Sequence, residues 1–343
     1  MNRTSPRRTA AGRSVRPVRP VRSAGAGSGG MAGQSAVVTG SSRGLGLLIA
    51  RELGRRGCRV MLCARDAEEL SRAEAMLRGE GTEARSLACD LTDEDAPRRL
   101  VTAVRDAFGG GPDILVNNAG VIQVGPLDAM AENDFRQAME TMYFAPLRLV
   151  LEALPGMRER GGGRIVTVSS IGGRVAAPHL LPYVGAKFAV AGLSEGLHAE
   201  LAADGVSVTT VFPGLMRTGS HTAARFSGRP EKEYSWFAVA AGLPVLSMDA
   251  ERAARAIVRA AEQRKPELVL TPAAKAAVRL HGVAPATVTR CLTLGARLLP
   301  TAGEKPERNV PGHVAARSVR PRLVHRLTRL NDRAARRFNQ RVS

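Results

Sequence analysis

Short apolar runs alternate with helical stretches from Ser35 to Leu270, and that rhythm leaves few folds open to the chain. The predicted strands are Ser35–Thr39, Arg59–Ala64, Arg85–Cys89, Asp113–Val116, Arg164–Ser169, Ser207–Phe212 and Glu267–Leu270. Leu45–Arg56, Ala67–Gly79, Asp93–Phe108, Glu132–Arg158, Leu181–Ala203 and Asp249–Gln263 read as helices, with Pro146 and Pro155 arguing for a bend or an end within the fourth. Strands this short and apolar, most of them separated by a helix, call for a parallel sheet covered on both faces. Seven of them give a single doubly wound α/β fold, whose ligands lie at the carboxyl ends of the strands.

Met216–Leu246 interrupts the rhythm with Gly219, Gly228, Pro230 and Pro244 beside Phe226, Tyr234, Trp236 and Phe237. A long aromatic excursion between a strand and its next helix reads as a substrate lid, the plainer alternative being a loosely packed surface loop.

Hydrophobic residues are 44% of the chain, enough for a substantial core. The net charge of +19 points to a nucleic-acid partner until it is located: +7 falls on residues 1–30 and +8 on residues 301–343, leaving +4 for the middle. Charge confined to the ends and only 3% aromatics argue against a specific nucleic-acid partner. No apolar segment follows Arg7-Arg8, so residues 1–30 are expected to be a disordered basic arm, or an over-extended start before Met31, rather than a leader. No uninterrupted apolar run reaches 18 residues, and none of the four cysteines shows C-x-x-C spacing. A cytoplasmic location without metal or disulfide is expected.

The first strand runs into Thr39-Gly40-Ser41-Ser42-Arg43-Gly44-Leu45-Gly46. Gly40 permits a tight turn, Gly44 lets backbone approach a pyrophosphate, and Gly46 lets the helix pack close to the strand. The free N–H groups at the start of that helix then face the anion. Cys89-Asp90-Leu91-Thr92, Asn117-Asn118-Ala119-Gly120, Ser170, Tyr183-x-x-x-Lys187 and Pro213-Gly214-x-x-x-Thr218 follow in order. In spacing and order these motifs resemble the classical short-chain dehydrogenases/reductases, over roughly residues 33–272. The resemblance implies a Rossmann-type fold over 31–272, a ketoreductase-like activity, and a homo-oligomer, dimer or tetramer. It implies cofactor contacts from Gly40, Ser42, Arg43, Gly44, Leu45, Gly46, Arg65, Asp90, Leu91, Asn117, Ala119, Gly120, Tyr183, Lys187, Pro213, Gly214 and Thr218.

The end of the second strand bears on which nicotinamide is used. An NAD enzyme wants a carboxylate there for the ribose hydroxyls. This chain has Ala64, then Arg65, with Arg43 in the nearby loop, and two guanidiniums without a carboxylate suit the 2′-phosphate of NADP(H). The alternative is a solvated Arg65, with Asp66 bonding the ribose.

Tyr183 and Lys187 are four apart on a predicted helix and share a face. Reduction of a ketone leaves an alkoxide that needs a proton, and a phenol with a pKa of about 10 becomes a usable acid/base when a Lys cation stands one turn away. Ser170 ends the fifth strand thirteen residues earlier, its hydroxyl suited to bond the substrate oxygen, whereas Ser169 should point to the other face. His198 lies on the same helix, about 22 Å further along, too far to act. His179 is placed either at the substrate or on the surface. The family also places an Asn in the long helix, where its water links the lysine to solvent; Met142 stands there in this chain, and a thioether cannot replace an amide. This motivates a rival reading, a domain that senses NADP(H) with little turnover. The aromatic excursion suggests a hydrophobic carbonyl or alcohol substrate.

Residues 273–300 mix Val and Leu with Lys275, Arg279, Arg290 and Arg297 and read as a basic amphipathic helical extension, for peripheral membrane contact or for packing on the cleft or a partner. Residues 301–343 are Arg-dense and expected to be poorly ordered, with a short helix near Asn331–Phe338.

Overall fold

The chain begins as β1 (Ser35–Thr39), α1 (Gly44–Arg55), β2 (Arg59–Ala64), α2 (Ala67–Gly79), β3 (Ala84–Ala88) and α3 (Ala96–Phe108) in a computed structural model that describes residues 30–242 and 247–319. It continues as β4 (Ile114–Asn117), β5 (Gln123–Val124), α4 (Glu132–Met139), α5 (Ala145–Glu159), β6 (Gly163–Val168), α6 (Leu181–Leu201) and β7 (Val206–Phe212). Then come β8 (Leu215–Arg217), α7 (Ser220–Ala223), β9 (Arg225–Gly228), α8 (Pro230–Gly242), β10 (Ser247–Asp249), α9 (Ala250–Glu262) and β11 (Glu267–Val269). Last are α10 (Pro272–Val283), α11 (Pro285–Ala296), β12 (Glu307–Pro311) and α12 (Gly312–Arg317). The basic arm and the helix expected near residues 331–338 lie outside the described residues.

Seven strands form one parallel sheet in the order β11-β7-β6-β4-β1-β2-β3. Winding runs one way from β1 to β3 and then reverses to β4 on the far side of β1, so the switch point lies between β1 and β4. Strand alternation sorts the core into two layers. Ala36, Val38, Val60, Leu62, Ile114 and Val116 pack with α1, α2 and α9, while Val37, Met61, Cys63 and Leu115 pack with α3 and α5. Cys58, Cys63 and Cys89 are buried free thiols, and burial pushes Cys58 up to about 12, out of reach of thiolate chemistry.

Two expectations are corrected. The helix predicted over Glu132–Arg158 is α4 and α5 joined by a π-helical turn at Glu140–Phe144, where the Ala145 N–H reaches back five residues to Glu140 O. Pro146 has no N–H for the carbonyl four residues behind it, that of Met142, so the break comes one turn before the proline. Of the C-terminal stretch expected to lack order, residues 307–317 form β12 and α12. β12 pairs antiparallel with β9, which pairs parallel with β5. The aromatic excursion is therefore a packed layer. Phe226 meets Tyr234 and Phe237 edge-on, and Ala315 and Val319 close the cluster.

Candidate active site

Thr39 Oγ1 binds the ends of β1 and β4 together: it donates to Val116 O (3.2 Å) and accepts from the N–H groups of Asn118 (2.9 Å) and Ala119 (3.1 Å). Asn118 Nδ2 returns to Thr39 O at 2.9 Å. The glycine loop leaves from this clamp. Gly40 and Gly44 have φ of 63° and 58°, the left-handed region that side chains resist. At Gly46 space decides, because a Cβ would stand 2.2 Å from Gly40 O. No side chain caps the N-terminus of α1, so its first amides face outward in the manner of an anion site. Thr218 lies over the loop, its Cβ 3.8 Å from where a Gly44 side chain would begin. Asn117, buried at the end of β4, has no partner for either side-chain polar atom among the described residues. The cradle of glycines, the uncapped helix and this orphaned amide fit a dinucleotide.

The rim that would meet the adenosine ribose departs from expectation. Arg43 does not stand apart from carboxylates: its Nη1 donates to Glu69 Oε1 at 2.9 Å, and Ser42 Oγ donates to Glu69 Oε2 at 3.2 Å. Glu69 belongs to the first turn of α2 and is buried. Asp66 caps that helix by accepting from the Glu69 N–H at 2.8 Å. Arg65 is mostly exposed and 3.9 Å from Asp90. Asp90 is oriented by the N–H and Oγ1 of Thr92 (3.0 and 2.8 Å), with Leu91 buried beside it.

Ser170, Tyr183 and Lys187 come together where β6 ends and α6 begins. Ser170 Oγ accepts from the Gly172 N–H at 3.0 Å, and the Tyr183 ring and Ser170 Oγ converge on Gly172, 3.3 and 3.5 Å from where a side chain there would begin. Burial pushes the phenol above its ordinary value, and the nearby Ser170 hydroxyl works the other way. Lys187 Nζ donates to Val168 O at 2.7 Å and lies 5.7 Å from the centre of the tyrosine ring. Burial lowers Lys187 itself to about 8. Burial thus favours the neutral form of both the phenol and the amine in the chain alone. Pro213 O accepts from the Ile171 N–H at 2.8 Å, fastening the Pro213-Gly214 turn to the serine loop.

Ser169 turns away and donates to Lys187 O at 2.8 Å, holding α6 against β6. Met142 is buried at the π-helical turn. Its Sδ and Lys187 Nζ converge on Gly120, 3.3 and 3.7 Å from where a side chain there would begin. His198 bonds Val208 O at 2.9 Å, a structural role. His179 is not on the surface: its Nδ1 meets the fully buried Glu233 of α8 at 2.9 Å, and Trp236 Nε1 donates to the same carboxylate at 2.7 Å. Sequence reasoning missed Glu69 and Glu233. Glu69 carried one usable signal, its place in the helix that follows β2 alongside the glycine loop.

Comparison with known proteins agrees with this geometry. A fatty acyl-CoA reductase of Acinetobacter baylyi is 32% identical over 291 residues, 83% of this chain and 93% of that protein. Among solved structures, L-sorbose reductase of Gluconobacter frateurii, complexed with NADPH and L-sorbose, is 28% identical with a TM-score of 0.63, covering 71% of this chain and 96% of that one. A point variant of the actinorhodin polyketide ketoreductase with NADPH is 31% identical with a TM-score of 0.63, covering 69% and 95%. The family model for short chain dehydrogenase matches residues 34–227, which carry the glycine loop, Ser170, Tyr183 and Lys187, and the chain belongs to that family of oxidoreductases.

Proposed function

We propose that this chain moves a hydride between NADP(H) and the carbonyl or alcohol of an apolar substrate, with Tyr183 as the acid/base. The observation that carries the reading is the convergence of Ser170 Oγ and the Tyr183 ring on Gly172, at the carboxyl end of β6 as the glycine loop is at that of β1, with Lys187 one turn along the same helix as Tyr183. A bound nicotinamide supplies or accepts the hydride. Ser170 Oγ holds the substrate oxygen, and in reduction the Tyr183 Oη proton passes to that oxygen, the phenolate regaining a proton from solvent. Lys187, fixed on Val168 O, keeps a positive charge beside the phenol while that charge is present, and it is placed to reach the ribose. Gly40, Gly44, Leu45 and Gly46 with Thr218 would cradle the pyrophosphate, Asp90, Leu91, Asn117 and Ala119 would hold the adenosine side, and Gly120 would meet the cofactor beside Lys187.

Support for NADP(H) over NAD(H) is Ala64 in the place of a ribose-binding carboxylate and the exposed Arg65 guanidinium beside it. Arg43 contributes less than its charge suggests, because Glu69 already holds it. Both solved relatives described above are complexes with NADPH. The fatty acyl-CoA reductase of Acinetobacter baylyi, 32% identical to this chain, supports an apolar substrate. A dimer or tetramer is part of the proposal, and Leu151, largely exposed on α5, is the side chain such an interface would cover.

The test is purified protein with NADPH and a panel of long-chain ketones and aldehydes, followed by nicotinamide absorbance. Oxidation of NADPH by at least one apolar carbonyl is expected. NADPH binding with no turnover on the whole panel would favour the sensor that Met142 motivates.

A further inference from the structure

α10 and α11 form a hairpin turned at Ala284-Pro285. Within it only Ala274 is buried. Between Pro272 and Pro300 stand Lys275, Arg279, Arg290 and Arg297, and no carboxylate. Along α11, Val288 and Leu292 are half-buried, while Cys291 and Leu294, and Leu298 just past the helix, form a second stripe open to solvent. Leu280 and Val283 are exposed on α10, and Val283 and Leu298 are 87% and 88% exposed. Among the described residues six large apolar side chains are more than half exposed, and four of them are on this hairpin. Large apolar side chains left in water beside unopposed cations mark a surface built to be covered.

One end of the hairpin is rooted at the Pro213-Gly214 turn of the candidate active site and the other at β9. Where α10 starts, Thr271 Oγ1 and Ala274 Cβ lie 2.8 and 3.6 Å from where a Gly214 side chain would begin. Where the chain leaves α11, Ala302 Cα lies 3.6 Å from the corresponding point of Gly228, and β12 then joins β9.

We infer that the α10–α11 hairpin docks the protein on an anionic lipid surface, its cations among the headgroups and Leu280, Val283, Leu294 and Leu298 in the acyl layer. Charge selects this occupant. A second copy packed on the same face would set four cations against four with no carboxylate on the hairpin to separate them, whereas an anionic bilayer answers both the charge and the apolar stripe. Docking in this orientation brings the lipid beside the Pro213-Gly214 turn, against which α10 starts. The docking stands without the proposed reaction. Only its use, delivery of an apolar substrate from the bilayer, rests on that reading.

Cys291 makes the test direct, because it lies on the exposed stripe and the other three cysteines are buried. The full chain, labelled there with an environment-sensitive fluorophore, is mixed with vesicles of phosphatidylcholine, alone or with phosphatidylglycerol. A blue shift with the anionic vesicles only, weakened by salt, is expected. Leu294→Ser with Leu298→Ser, both exposed positions, should weaken that response by about tenfold or more, and Tyr183→Phe should leave it unchanged. The Arg-rich ends can draw the protein onto anionic vesicles by charge alone, so sedimentation with vesicles and no shift at Cys291 would overturn the inference. A shift that grows with protein concentration in the absence of vesicles would also overturn it, by assigning the face to a second copy.

Discussion

At Tyr183 the chemistry depends on one oxygen, and the residues around it decide its protonation. Tyr183→Phe keeps the ring and its packing and removes the proton; turnover on a responsive carbonyl should fall by about 10²–10⁴ while NADPH affinity, measured by fluorescence titration, stays within a few-fold. Full activity in that variant would end the proposed mechanism. Lys187 sets a pH limit. Burial favours its neutral form and brings it to about 8, so the free enzyme loses the positive charge beside the phenol as pH rises through that value. kcat/KM for reduction, which reports the free enzyme, should therefore hold below an inflection near 8 and decline above it. Lys187→Arg, with a charge that persists, should remove the inflection even where it lowers the rate. At the ribose rim, Arg65→Asp restores a carboxylate and should shift the ratio of NADPH to NADH affinity toward NADH by about tenfold or more, the scale of a charge-assisted hydrogen bond gained or lost. An unchanged ratio would mean that the Arg43–Glu69 pair, not Arg65, discriminates.

The elements of the parallel sheet were legible because each strand is an apolar run and each crossover a helix, so local pattern and final position coincide. β1, β2 and α2 fall at the predicted bounds for this reason. Legibility fails where a segment owes its structure to a distant partner. Glu307–Pro311, with sequence Glu-Arg-Asn-Val-Pro, carries no strand signature and becomes one only because β9, far earlier in the chain, offers an open edge. The π-helical turn was half legible: Pro146 announced a break but not its form. Of the site, the glycine loop, Ser170, Tyr183 and Lys187 were marked by spacing, whereas Glu233 meets His179 only once α8 folds over the loop ahead of α6. β12 also revises what can be removed from the chain. Asn309 Nδ2 donates to the buried Asp134 at 2.9 Å, and the Asn309 N–H donates to Ser227 Oγ at 3.0 Å, so β12 holds β9 and the start of α4 together. A chain ending at Pro300 should keep NADPH affinity within a few-fold, since β1, α1 and β4 are untouched. It should lose about 1.5–3 kcal/mol of stability, seen in denaturant titration, from the hydrogen bond to a charged partner alone, and its substrate KM should rise. Unchanged stability and KM would make β12 an ornament of the lid layer.

For the whole molecule, the distribution of charge matters more than its total. The segment that matches the family, residues 34–227, and the α9–β11 unit after it carry little of the +19; residues 1–30 alone hold +7. NADP(H) is a polyanion, so such an arm invites the idea that it helps to bind the cofactor. Two arguments weigh against this. Every group assigned to the cradle lies between Gly40 and Thr218, and backbone amides with glycine geometry can answer a pyrophosphate without added charge. Deleting residues 1–30, so that the chain starts at Met31, should then leave the NADPH dissociation constant unchanged within about twofold at physiological salt. The association rate should be the sensitive quantity: at low salt a basic arm speeds the approach of an anion, so stopped-flow binding should be faster for the full chain there and equal for both forms as salt rises. A large loss of equilibrium affinity that persists at high salt would place the arm at the cofactor site.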